Sequence, residues 1–390
     1  MRKYLQLLWP LYLGEFFGSL SFFAPIWILF YQIRGLNLAD IGLIASGTYL
    51  ASVLLEYPTG IFADKYGRKL SLLVSISLSA LALITIVTAH SITQFFIGAL
   101  FTGAAWAFSS GAREALIYDS LKEKKLEKEN SKVLGNLDAV GSIGGISAAL
   151  LGASFFTINN TLPYWIAIVM YLLAFISFGF IREPKYHKGG EINFFKTFKS
   201  GLKLLIKNTT LLSLLLLYVP LFFFEEAWYN AQQPILVGLG LPIILLGAYY
   251  SINKVFFGLG GFFLPKLLTK LNHKTLLASI IIIEATVWVF LGLNNLYIVA
   301  IFSYLLLLLH QLWNYVDADI VHKHIPSSIR ATTLSARQML ISIVWIFNPW
   351  LMGYLVNTFN RNYLFPIFGV IILVVAATIF IARRKYIDDN

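Results

Sequence analysis

Gly60-Ile61-Phe62-Ala63-Asp64-Lys65-Tyr66-Gly67-Arg68-Lys69 gathers four charges between two long apolar runs, Ile41–Phe62 and Leu70–Thr88. Its two glycines allow a sharp turn, because neither carries a Cβ to clash. The charges fall where a helix crossing a bilayer would have to leave it.

The rest of the composition points to the same solvent. The chain has 390 residues, of which 58% are hydrophobic and 13% charged, too apolar for a water-soluble surface of that size. A bilayer is crossed by helices of about 20 apolar residues or by closed barrels. The runs here are uniformly apolar rather than alternating, which excludes a barrel. After Arg2 and Lys3 the first apolar run is long and no small-residue site closes it, so this span is expected to be retained, not cleaved. Cysteine is absent, which excludes disulfides, thiolate metal sites and cysteine nucleophiles.

Twelve apolar spans can be laid out, at roughly 8–32, 40–62, 70–89, 93–118, 133–156, 162–181, 210–236, 242–268, 275–293, 296–320, 333–357 and 362–382. Their connections alternate between short, nearly uncharged turns and basic loops. All but four of the 30 lysines and arginines fall on the basic side, the exceptions being Arg34, Arg361, Arg113 and Lys254. The positive-inside rule puts that side in the cytoplasm, with both termini there, as an even number of spans requires. The net charge of +11 is therefore a topology signal, and no nucleic-acid partner is expected. Residues 182–209 form the longest polar stretch and divide the chain into bundles at 1–181 and 210–390. Within that stretch Phe194–Lys207 reads as an amphipathic interfacial helix or a solvated connector. A shift that sets Gly261 on Gly60 reproduces the basic loop as Gly261–Lys274, with Pro265 in place of Asp64. Two repeated halves leave this kind of weak echo.

Gly60, Asp64, Lys65, Gly67, Arg68 and Lys69 match in place the loop motif G-x-x-x-D-(R/K)-x-G-R-(R/K), and on them the chain resembles the major facilitator superfamily. Ser109–Leu121, Glu56–Gly60 and Arg330–Ser335 look like its multidrug-efflux-like branch. The resemblance implies an all-α membrane protein of twelve transmembrane helices in two pseudo-symmetric six-helix bundles. It also implies a secondary transporter, not an enzyme, that works by alternating access in a prokaryotic inner membrane. In such transporters the loop acts as a conformational latch, formed here by Gly60, Asp64, Gly67, Arg68, Lys69 and Asp119. Asp64 would accept from the start of the eleventh helix near Thr332–Ser335, and Arg68 would pair with Asp119. Two features of drug/proton antiporters are missing: Gly141–Gly145 lacks the fifth-helix proline, and Ala99 stands where the fourth helix would carry arginine.

Ionisable groups inside spans are costly and mark the candidate sites. Glu15 lies roughly 10 Å into the first span at about 1.5 Å per residue, with no cation near it in sequence, beside the close-packing pair Gly14 and Gly18. Such a carboxyl can exchange a proton, bind a cationic substrate, or simply hydrogen-bond. Glu56, Arg113, Glu114 and Asp138 cluster in the inner third of the first half, where Arg113 could pair with Glu56 or Asp138. In the second half Glu225 and Glu226 are further proton or substrate candidates. Trp228, Tyr229, Asn230, Gln232 and Gln233 follow them and read as a substrate site, an outer gate or an aromatic belt, with Pro234 expected to break the helix. Lys254 could pair with Glu284, and His310, Asn314, Tyr315 and Asp317 run at helical spacing along the tenth span. No phosphate-binding glycine loop, H-E-x-x-H or G-x-S-x-G is present. No cofactor or metal is expected, although His322 and His324 stand near Asp319. The reading that emerges is proton-coupled export of lipophilic or cationic small molecules by a monomer in the bilayer, with symport or uniport of a nutrient or metabolite as the alternative.

Overall fold

A computed structural model of the chain describes residues 2–184, 194–268, 271–325 and 330–386. All regular structure among the described residues is helical. The first span is α1 (Arg2–Ser19) and α2 (Trp27–Ile33); α3 (Leu38–Tyr66) and α4 (Arg68–Val87) are the second and third. The fourth span is α5 (Ile92–Ser109) with α6 (Ala112–Glu123), followed by α7 (Asn130–Ile158) and α8 (Leu162–Gly179). Linker helix α9 (Phe194–Lys207) leads to a seventh span made of α10 (Thr209–Phe222), α11 (Glu225–Tyr229) and α12 (Gln232–Gly238). The last five spans are α13 (Ile243–Leu268), α14 (His273–Leu291), α15 (Leu296–His324), α16 (Arg330–Thr358) and α17 (Arg361–Arg383). Among the described residues, ten helices are long and apolar enough to cross a membrane. The other two of the twelve are the interrupted first span and α13, of which Ile243–Phe256 is the apolar stretch with described side chains.

Three spans that read as continuous in sequence are broken. The first breaks at residues 20–26, where Pro25 cannot donate to the preceding turn. The fourth breaks at Ser110–Gly111, with Gly111 at φ +68°. The seventh breaks twice, at Phe223–Phe224 and at Asn230–Ala231. Pro234 does not cause the second break: it sits in the first turn of α12, where its missing N–H leaves no helical bond unmade. The break precedes it.

Close approach occurs where side chains are smallest. A Cβ on Gly152 of α7 would lie 1.9 Å from the Phe22 carbonyl oxygen, so the fifth span rests directly on the broken backbone of the first. The expected small-residue contact holds at Gly14, where a Cβ would meet the Phe178 ring at 2.1 Å; Gly18 makes only ordinary contacts.

The chain forms two compact units. One comprises residues 1–36, 43–190 and 242–251; the other comprises 37–42, 191–241 and 252–390. In the first unit Ser251 Oγ donates to the Ile146 carbonyl at 3.1 Å, tying the start of α13 to α7. The second unit is built around Trp288, Trp313, Phe222 and Phe365, all buried.

Candidate functional site

Gly60 lies within α3, so of the two glycines only Gly67 makes the turn, and the decapeptide is held from three sides within the first unit. Gly67 takes φ +102° and ψ 152°, a conformation open essentially to glycine alone, and so releases α3 and starts α4. The Arg68 guanidinium pairs with Asp119 on α6 and donates to the Ala115 carbonyl at 2.7 Å. Lys69 Nζ donates to the Gly179 carbonyl at 2.6 Å. Glu183 completes the arrangement, and sequence reasoning passed over it. Its two carboxylate oxygens accept the backbone N–H groups of Arg68 and Lys69, each at 2.7 Å. These are free donors at a helix N-terminus, where a carboxylate also meets the positive end of the helix dipole. The available signal was position: Glu183 is the first carboxylate after the sixth span, in Arg182-Glu183-Pro184. Asp64 and Gly60 are exposed, and Asp64 has no partner among the described residues. The side chains of Thr332 and Ser335, expected opposite Asp64, lie outside the described residues, as do Lys270 and the side chain of Pro265 in the second-half echo.

Deeper in the same unit three helices meet at Arg113. Its Nε donates to Glu15 at 3.1 Å and its Nη2 to Asp138 at 2.9 Å. Glu15 is therefore not isolated: the break at Ser110–Gly111 turns Arg113 towards the first span, a contact that sequence spacing does not show. Asp138 is the partner foreseen for Arg113. Glu56 is not; it accepts from Ser110 Oγ at 2.8 Å. Glu114 is exposed, with no partner among the described residues. The Glu15 and Arg113 side chains are about one quarter exposed and Asp138 is two-thirds exposed, so the group is partly open to solvent. Two carboxylates share one guanidinium, which leaves one negative charge unmatched when all three are ionised.

In the second unit the adjacent glutamates divide as helical geometry requires. Glu225 Oε2 bonds His310 Nδ1 at 2.9 Å, and the imidazole packs edge-on against Phe222. Glu226 points elsewhere and is buried. The expected Lys254–Glu284 bridge is absent: Lys254 is exposed, while Glu284 is enclosed near Trp288. Burial of Glu284 on the face that α14 turns to the aromatic core keeps the two apart. Trp228 packs into that core against Phe365, whereas Tyr229 and Asn314 are exposed and Tyr315 half-buried. Gln232, Gln233 and Asn230 are buried. Asp317 forms a two-armed ion pair with Arg337 of α16, both bonds at 2.7 Å. Arg337 reads as a loop cation in the sequence; lying within the eleventh apolar run, it could have been recognised as a membrane arginine. Asp319 is engaged by His273 at 2.9 Å and Lys323 at 3.1 Å, which removes it from any set with His324. The side chain of His322 lies outside the described residues. No group of three metal-binding side chains occurs among the described residues.

A helical membrane bundle with this charged, glycine-bounded connection has counterparts among known proteins. The family model of the Major Facilitator Superfamily matches residues 9–316. The chain belongs to the Major Facilitator Superfamily. It is 28% identical over 260 residues to the uncharacterized MFS-type transporter YxaM of Bacillus subtilis, covering 64% of this chain and 62% of that one. It is 22% identical over 170 residues to the quinolone resistance protein NorA of Staphylococcus aureus, covering 43% of each. The chain thus aligns with about two fifths to three fifths of the length of these relatives. Among solved structures, the nucleoside transporter NupG superposes with a TM-score of 0.71 at 17% identity, over 99% of this chain and 100% of that one. A peptide transporter of the POT family reaches 0.76 at 12% identity, over 98% of both chains. These likenesses are of fold. This major facilitator is a multi-pass membrane protein.

Proposed function

We propose that this major facilitator exports lipophilic, cationic compounds in exchange for protons, with Glu15 as the group that takes the proton or the cation. The observation that carries the reading is the Glu15–Arg113–Asp138 group. One guanidinium serves two carboxylates, so a proton or a cationic substrate on Glu15 neutralises the surplus charge while Arg113 stays with Asp138. Binding there changes which helices are tied together, since Glu15, Arg113 and Asp138 stand on α1, α6 and α7. A differential tie of that kind is what a ligand needs in order to shift a conformational equilibrium. The resemblance to a quinolone resistance protein supports export. The basic loops and both termini face the cytoplasm of a prokaryotic inner membrane, the latch at Gly60–Lys69 and Asp119 holds one of the two access states, and the monomer is the working unit.

The buried amides Asn230, Gln232 and Gln233 favour a second reading, symport or uniport of a polar nutrient or metabolite. One experiment separates the two. The protein is reconstituted in proteoliposomes with an imposed pH gradient, and internal pH is followed while lipophilic cations, sugars and amino acids are added in turn. Export predicts proton movement with the cations and its loss in Glu15→Gln. Proton movement with sugars or amino acids alone, or an unaffected Glu15→Gln, overturns the reading.

A further inference from the structure

The seventh span breaks twice within eight residues, and at each break an asparagine side chain ties it to α16. At the first break Ala227 N–H turns to the Phe224 carbonyl, which leaves the Phe223 carbonyl without its helical donor. Asn348 of α16 supplies one, its Nδ2 donating at 2.9 Å. At the second break Asn230 reaches back to α16, its Nδ2 lying 3.4 Å from the Pro349 carbonyl oxygen. Because each amide nitrogen faces a carbonyl, the orientation of both amides is determined and each Oδ1 is turned away from the bond. Both oxygens are enclosed and unbonded, on residues that are 0% (Asn230) and 1% (Asn348) exposed. Glu226 lies between Phe223 and Asn230, three residues from one and one helical turn before the other, its carbonyl accepting the Asn230 N–H at 3.0 Å. It is 6% exposed, and its Oε1 is unbonded too. The neighbouring imidazole is no help to it, since His310 is taken by Glu225.

We propose that Glu226, Asn230 and Asn348 form a binding site for a monovalent alkali cation, with Na⁺ as its probe. Three buried oxygens that only accept stand on the seventh and eleventh spans, and a proton on Glu226 could serve just one of the two amides. A cation serves all three. The charge also selects the class. One carboxylate neutralises one positive charge, whereas a divalent ion would leave a surplus charge in surroundings of low dielectric constant, where it is costly. Divalent sites recruit several carboxylates, whereas no group of three is gathered among the described residues and the adjacent Glu225 is held by His310. Irregular backbone at the ends of half-helices, exposing carbonyls beside polar side chains, is the setting in which membrane transporters hold such ions. Bound there, the cation would join the broken segment of the seventh span to the eleventh.

The test reads binding on the full-length protein in detergent at fixed pH, without a pH gradient, so it succeeds or fails independently of proton coupling at Glu15. NaCl is titrated against KCl and choline chloride at constant ionic strength, and the melting temperature is recorded. The expected result is a saturable rise in melting temperature with Na⁺ and none with choline. Its midpoint should weaken at least tenfold in Glu226→Gln and in Asn348→Ala, each read against that variant's own melting temperature in choline. Should either variant fail to fold, the wild-type ion series and the other variant still decide. Equal curves in all three salts overturn the site, as does a stabilisation that follows pH but not Na⁺. An unchanged midpoint in the variants overturns it equally.

Discussion

Glu183→Ala should loosen the latch without touching any of its charged motif residues. The wild-type carboxylate accepts two backbone N–H groups at 2.7 Å, at the first two positions of α4. A lost N-cap costs about 1 kcal/mol, and the interaction of a carboxylate with the helix dipole adds roughly 0.3–1 kcal/mol. Because Glu183 is half-buried, its two charge-assisted bonds sit towards the low end of their range, so the total is about 2 kcal/mol. For a unit of this size that corresponds to a fall in melting temperature of about 4–8 °C. Glu183→Gln keeps one neutral acceptor and should fall by about half as much. The second consequence concerns geometry. Arg68 is the residue whose N–H is capped, so a frayed first turn displaces its guanidinium from Asp119 and transport should drop along with stability. Thermal melting in detergent and uptake into proteoliposomes measure the two effects. Melting of Glu183→Ala within about 1 °C of wild type, well below the shift expected for a lost cap, would refute the capping argument; full transport in a clearly destabilised variant would refute the link to Arg68.

The other expectations follow from single contacts. Gly67→Ala forces a side chain into φ +102°, with its Cβ 3.0 Å from the Glu183 carboxylate, and should cost about 1–3 kcal/mol in a melting experiment. Arg68→Ala should abolish transport while the protein still elutes as a folded species on gel filtration, whereas normal transport rates would exclude the latch role. Arg113→Gln leaves Glu15 and Asp138 as uncompensated neighbours and should be more damaging to stability than Glu15→Gln, which keeps the Arg113–Asp138 bond; comparing the two melting curves checks the order. Breaking the Asp317–Arg337 pair by Arg337→Leu leaves a carboxylate that is 11% exposed without its cation and should cost about 3–5 kcal/mol, with partial recovery in the double variant Asp317→Leu/Arg337→Leu, again by melting.

Much of the fold was legible because a bilayer imposes a coarse code. Apolar runs of sufficient length give spans, and the asymmetric placement of lysine and arginine orders them. The motif at Gly60–Lys69 was legible because its glycines and charges are adjacent in sequence, and so was its pairing with Asp119. Two contacts that escaped share one physical cause: each is made between residues far apart in the chain, at a place where a helix stops being regular. Arg113 reaches Glu15 because α5 and α6 are separated by a glycine at positive φ, and a continuous fourth helix would have pointed it elsewhere. Glu183 caps α4 because the chain leaving α8 returns to the same end of the unit as Gly67. Neither contact leaves a local periodicity. Lys254 and Glu284 failed for the opposite reason: similar depth on neighbouring spans says nothing about the face on which each residue stands.

The two halves carry related ion pairs with the charges exchanged, and the exchange bears on which group is proposed to work. In the first half the arginine is on the fourth span and the aspartate on the fifth, as Arg113 and Asp138; in the second the aspartate is on the tenth and the arginine on the eleventh, as Asp317 and Arg337. The third member differs as well. The first span contributes Glu15, while its counterpart, the seventh, contributes Tyr218, which lies within reach of the Asp317 and Arg337 charges. An aspartate with an arginine is neutral and closed: both arms of Arg337 are committed, and the pair acts as a strut between α15 and α16. A glutamate added to such a pair makes the group negative and open, because Arg113 must divide its donors between two carboxylates. Adding a carboxyl to the second half, as Tyr218→Glu, or removing one from the first, as Glu15→Gln, should therefore have unequal effects. Loss of Glu15 should remove proton movement from an otherwise folded protein, whereas Tyr218→Glu should chiefly lower the melting temperature. If proton movement survives Glu15→Gln but is lost when Asp317 is replaced, the roles assigned to the two halves are reversed.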